Sequence, residues 1–147
     1  MQKIFLCSCI VIALLLHMPV QRASLSFLMG EYTFYSTQMQ SFDGCEVVKN
    51  GNFYHISCDA TLAKTLNVKK VVGQSVKFAG NCDDFYIICK KLGKIKNQYS
   101  VDNVVVAEGF SQKFFWSVAD KKTKINFQVA FDGKHITVGT PVINGSF

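Results

Sequence analysis

Apolar and polar residues alternate with a period of two over much of the chain. The pattern is clearest over residues 125–131, where Ile, Phe, Val and Phe occupy every second position. Such alternation is typical of a β-strand with one face in the core and one face in water. Similar short runs, separated by clusters of Gly, Asn, Asp and Lys, predict ten strands. They lie at residues 31–38, 45–49, 52–58, 68–72, 75–79, 84–90, 98–107, 112–119, 124–131 and 134–139.

Turn-forming residues between these runs predict two hairpins and one short helix. Asp132-Gly133 favours a tight turn that joins the last two strands into a meander with the run before them. Asn50-Gly51 favours a second hairpin, in which Val48 faces Phe53. Residues 59–66 are the one candidate for a helical turn or two, with the aspartate at their start as the N-cap.

Ten short strands in a chain of 147 residues predict a single all-β domain. Antiparallel strands bury one face each most simply in a two-sheet sandwich, and a small β-barrel is the alternative. Trp116 follows the cysteines instead of lying between a pair of them, which argues against a true immunoglobulin domain.

The first 23 residues predict a signal peptide. Lys3 precedes an unbroken apolar run over residues 4–16. That run falls in the range of about 7–15 residues found in signal peptides, and it is shorter than the roughly 20 residues that a membrane-spanning helix needs. Cleavage after Ala23 leaves residues 24–147 as one secreted domain without a transmembrane segment. We therefore expect the mature protein in the extracellular space.

Four cysteines follow the predicted leader, and an even number in an oxidising compartment favours two disulfides that stabilise the domain. They are Cys45, Cys58, Cys82 and Cys89. The Val48–Phe53 register leaves the first two diagonal to each other across the hairpin, and the last two flank a short loop. We expect the pairs 45–58 and 82–89, although spacing alone leaves the crossed pairings open.

The mature chain is basic but contains no arginine. Without Lys3 and Arg22, 14 lysines stand against ten acidic residues, a net charge of +4. Because bidentate contacts to bases and phosphates depend on guanidinium groups, we expect no sequence-specific binding of nucleic acid. Two lysine clusters could contact an anionic glycan or lipid head groups, unless they only keep hairpin ends soluble. The first cluster comprises Lys90, Lys91, Lys94 and Lys96, and the second comprises Lys121, Lys122 and Lys124.

Signatures of catalysis are sparse. His55 and His135 are the two histidines of the mature chain, and neither a Gly-x-Ser-x-Gly nor a His-Glu-x-x-His motif occurs. A small nuclease would use one imidazole as base and the other as acid, but both lie in predicted strands, so we expect no enzymatic activity. The pair His55 and Cys58 and the pair Asp83-Asp84 lack further ligands nearby, so we expect neither a metal nor a cofactor.

Aromatic residues are abundant, with 13 Phe, five Tyr and one Trp, and they suit either a packed core or an apolar cavity. The segment from Cys82 to Cys89, with Gly93, Tyr99 and residues 116–120, resembles the second half of the secreted ML lipid-recognition family. Phe42-Asp43-Gly44-Cys45 resembles that family's early cysteine segment. The resemblance, which covers residues 82–131 at most, implies a β-sandwich that holds a lipid between its sheets. Asn126 or its neighbours stand where a late cysteine of the family is expected.

A secreted, disulfide-bonded, lysine-rich β domain predicts a non-enzymatic binding protein for an extracellular protein or an anionic glycan. One alternative is a carrier of a lipid or other apolar small ligand in a cavity between the sheets. Another is a host-directed effector of a parasite or virus. Asn144-Gly145-Ser146 is an acceptor sequence for N-glycosylation, which makes Asn144 a candidate site.

Overall fold

The computed structural model describes residues 25–114, 117–120 and 123–143. The predicted signal peptide, Asn144 and the two lysines Lys121 and Lys122 lie outside these residues. No helix within the described ranges is long and apolar enough to cross a membrane.

Ten strands and two helices follow one another along the described chain. They are β1 (Glu31–Ser36), β2 (Glu46–Asn50), β3 (Phe53–Asp59), α1 (Ala60–Ala63), β4 (Val71–Ala79), α2 (Cys82–Leu92), β5 (Lys94–Val101), β6 (Val104–Phe110), β7 (Val118–Asp120), β8 (Thr123–Ile125), β9 (Phe127–Phe131) and β10 (His135–Thr140).

Eight of the strands form one antiparallel sheet in the order β2-β3-β1-β4-β10-β9-β6-β5, and β7 pairs with β8 in a separate two-stranded sheet. The predicted antiparallel all-β fold is confirmed. The large sheet is not closed into a barrel, because β2 and β5 remain at its two edges.

The large sheet has two chemically different faces, because successive side chains of a strand point to opposite sides. One side, which we call the core face, carries apolar residues from neighbouring strands and packs against α2. Phe34, Val76, Val138 and Val129 belong to its central rows and are at most 4% exposed. The other side, which we call the open face, carries many polar side chains.

Helix α2 replaces the strand predicted at 84–90. Asn81 Oδ1 accepts a hydrogen bond from the Asp84 amide, and Asp84 Oδ2 accepts one from the Asn81 amide, each at 3.0 Å, so that a capping box starts the helix. Lysines in its last turn complement the helix dipole. Its buried face repeats at helical spacing and consists of Phe85, Ile88, Cys89 and Leu92.

Other predicted elements differ in where they begin and end. The run predicted as one strand at 98–107 is the hairpin of β5 and β6, which turns at Asp102 with a φ of 53°. The runs at 68–72 and 75–79 merge into β4. The predicted helical turn is confirmed as α1, which Asp59 caps by accepting hydrogen bonds from two amides at 2.7 and 2.9 Å.

Strand β9 is buried on both faces, so the predicted wet face does not form. Asn126, just before the strand, and Gln128 within it are at most 9% exposed. β9 lies inside the sheet between β10 and β6. The segment after β10 also reaches the open face here, because the Ile143 amide donates a hydrogen bond to Gln128 Oε1 at 2.8 Å. Gln128 Nε2 donates in turn to Glu108 at 2.6 Å.

Candidate functional site

Lysines from both predicted clusters meet at one surface depression of about 420 Å³. Lys96 of β5 and Lys124 of β8 line it, together with Phe110 and Thr123. The Lys124 ammonium lies 5.8 Å from the centroid of the Phe110 ring, which is a cation–π distance. We call this site the lysine depression.

Four further lysines, on α2, on β5 and in the segment after β6, do not line the depression. Lys94 is the cross-strand partner of Phe110, and Lys90 and Lys91 end α2. Lys113, which the sequence analysis missed because it stands alone, donates a hydrogen bond to the Lys91 carbonyl at 2.9 Å. None of these lysines has an acidic partner, since the one ion pair in the described part of the chain joins His135 and Asp132.

The four cysteines are free thiols in the structure. Cys82 and Cys89 lie seven residues apart on α2, a rise of about 10 Å. A disulfide needs Cα atoms within about 7 Å, so the predicted 82–89 pair was wrong, because a helix replaces the expected loop. Cys82 is exposed and Cys89 is buried.

Cys45 and Cys58 lie closer than predicted, because β2 and β3 pair two residues out of the expected register. Asn50 faces Phe53 across a turn with Gly51 at a φ of 57°, and Val48 faces His55. Continuing that register places Cys45 opposite Cys58 on the core face. Burial, followed by the neighbouring Cys45 thiol, raises the pKa of Cys58 to about 12. The 45–58 disulfide stays a prediction.

The two histidines do not come together. His55 lies on β3 and His135 on β10, three strand spacings apart, which is about 14 Å. A single phosphate therefore cannot reach both imidazoles, and a two-histidine nuclease centre does not form. Within residues 25–114, 117–120 and 123–143, no group of three or more His, Cys, Asp or Glu residues is placed to hold a metal ion.

An apolar groove of about 370 Å³ lies where β7 approaches the large sheet. Phe53, Val72, Val118 and Ile143 contribute to its walls. The groove is distinct from the core under α2, which side chains such as Phe85 and Leu92 fill.

Comparison of the chain with known proteins gives no match. The sequence matches no known protein family, no curated protein and no solved structure. The resemblance to the ML family stays a prediction, and the segment from Cys82 to Cys89 that contributes to it forms most of α2.

Proposed function

We propose that the chain is a secreted, non-enzymatic binding protein that recognises an anionic extracellular glycan through the lysine depression. The proposal rests on one observation. Lys96 and Lys124, which belong to two separate sequence clusters, line the same depression together with Phe110. The chain's fold, not its local sequence, brings these charges together.

The chemistry of the depression suits a repeating anion. Ammonium groups are point charges that accept sulfate or carboxylate groups in many orientations. Because these lysines form no ion pair with an acid of the described chain, their charge is available to a partner. The ring of Phe110 adds an apolar surface on which a sugar can lie. An acidic protein surface is the other partner class that such a site could serve.

Heparin is a suitable probe, and its affinity should fall as salt rises, since exposed charges are screened over about 8 Å at physiological ionic strength. The double substitution Lys96→Gln and Lys124→Gln should weaken binding about tenfold, which is about 1.4 kcal/mol. Isothermal titration calorimetry at several salt concentrations measures both effects.

The matched control is the double variant Lys64→Gln and Lys69→Gln, which removes the same charge near β1, far along the sheet from β5. It should change the affinity less than twofold. Equal weakening in both variants, a salt-independent affinity, or no binding to heparin at low salt would contradict the proposal.

The apolar groove favours a second candidate function, the carriage of a lipid or another apolar ligand. Phe53, Val72 and Val118 offer an apolar wall in contact with solvent, which a ligand of that kind would cover. Native protein extracted with organic solvent should then release a bound lipid that mass spectrometry detects. An empty extract, together with no binding of an apolar fluorescent probe, would exclude the carrier function.

A further inference from the structure

The open face carries a polar row that crosses four strands in register. Glu46 of β2 faces Ser57 of β3, Ser57 faces Thr33 of β1, and Thr33 faces Ser75 of β4. Directly opposed residues point to the same side of a sheet, so the four side chains form one continuous line. The line runs along the floor of a groove of about 290 Å³, which we call the open-face groove.

Hydrogen bonds hold the hydroxyl groups of the groove in place. Thr33 Oγ1 and Ser57 Oγ lie 2.9 Å apart, and the Tyr35 hydroxyl donates to Ser75 Oγ at 2.7 Å. Because these groups are already positioned, a ligand that hydrogen-bonds to them need not order them first, which favours binding.

A second row, two residues along each strand from the first, contains aromatic and apolar side chains, of which Val48 is exposed and Tyr35 is buried beneath the groove. Val48 faces His55, and His55 faces Tyr35. The ring centroids of His55 and Tyr35 lie 4.9 Å apart, and the angle between the two ring planes is 53°. Burial lowers the pKa of His55, which favours the neutral imidazole. Ile143 adds a further apolar side chain at the rim.

The charge of the groove is negative. Glu31 and Glu46 line it together with one ammonium, that of Lys77. Glu31 and Lys77 are cross-strand partners in β1 and β4. Glu46, on the edge strand, has a serine as its cross-strand partner and no ammonium directly opposite. The Glu46 carboxylate therefore lies one row from the His55 ring with no ammonium directly opposite it, an arrangement that suits a ligand with one positive charge.

We propose that the open-face groove binds a small arylalkyl amine, with its ammonium on the carboxylate side and its ring against His55 and Val48. Two residues along a strand span about 7 Å, which matches an aromatic ring joined to an amine through two carbons. The hydroxyls of Ser57 and Thr33 lie in the same row as Glu46 and can accept further N–H bonds from the ammonium. This site shares no lining residue with the lysine depression.

Phenethylamine is the probe, titrated into the folded full chain by calorimetry or nuclear magnetic resonance. We expect saturable binding, and at least fivefold weaker binding of phenethyl alcohol, which replaces the ammonium by a hydroxyl. The double variant Glu31→Gln and Glu46→Gln should weaken phenethylamine binding about tenfold, because it removes both carboxylates that line the groove.

The control variant, Asp83→Asn with Asp102→Asn, removes two exposed carboxylates outside the groove and should leave the affinity within twofold. Both double variants change exposed side chains, and their thermal unfolding verifies that they fold. Absence of saturable binding at millimolar amine, equal affinity for the alcohol, or equal weakening in both variants would overturn the proposal. Because probe and residues differ from those of the heparin experiment, each proposal can fail alone.

Discussion

Replacing Phe85 by alanine is expected to lower the free energy of unfolding by about 3–5 kcal/mol, the range for a buried Phe. Phe85 is 1% exposed and fixes α2 to the core face of the sheet. Its ring centroid lies 6.1 Å from that of Phe131 in β9. Because α2 is one of only two helices in the described chain and the longer one, the cavity would lie at the main helix–sheet contact.

Urea denaturation followed by circular dichroism measures this loss. Ile87→Ala is the matched control, because Ile87 lies on the same helix with 52% of its surface exposed. Its substitution removes an apolar side chain from solvent contact and should change stability by less than about 0.5 kcal/mol. Similar losses in the two variants would show that α2 does not pack against the sheet through Phe85.

Asn126→Ala is expected to destabilise the protein by about 2–4 kcal/mol, because buried backbone groups would lose their partners. The Asn126 amide oxygen accepts from the Ser111 amide at 2.7 Å. Its nitrogen donates to the carbonyls of Ser111 at 2.7 Å and Phe114 at 3.2 Å. The side chain thus holds the turn after β6 against the strand that follows β8.

The same denaturation experiment tests this prediction. Asn97→Ala, on the exposed edge strand β5, removes an identical side chain and should change stability by less than about 0.5 kcal/mol. If the Asn126 side chain stabilised the protein only by filling volume, Asn126→Leu would retain the stability that Asn126→Ala loses. We expect that variant to be as unstable as the alanine variant, since leucine leaves the same backbone groups unpaired, and full rescue would refute the hydrogen-bonding role.

Most strands could be predicted from the sequence because the alternation of apolar and polar residues is a local pattern. Helix α2 was not predicted. Residues 84–90 contain Phe, Tyr and Ile, which favour strands. The helical signals were nevertheless present, namely the Asn81–Asp84 capping box and buried residues at spacings of three and four. Tertiary contact with β9 decided between the two tendencies.

The predicted register of the β2–β3 hairpin was wrong, but the error left each side chain on the correct face of the sheet. The pairing of β2 with β3 was predicted two residues out of the observed register, and a shift of two keeps every side chain on its own face. Cys45 and Cys58 were therefore correctly placed on one face, although at the wrong offset. A shift of one residue would have moved one of them to the open face.

The candidate sites could be predicted only in part. The lysines were recognised as clusters, but their meeting depends on β8 approaching β5 and β6, which no local pattern encodes. The open-face groove is composed of residues as far apart in sequence as Glu31 and Thr137. No short motif could reveal it, because long-range strand pairing alone brings those side chains together.

Helix α2 covers only one side of the sheet, and this asymmetry has an evolutionary consequence. Exposed side chains of the open face near its β2 edge, such as Glu46 and Val48, can be exchanged while Phe85 and the residues around it keep the fold intact. Selection could therefore retune what the surface recognises, one substitution after another, with little loss of stability at each step. Laboratory libraries randomised on that surface would exploit the same freedom.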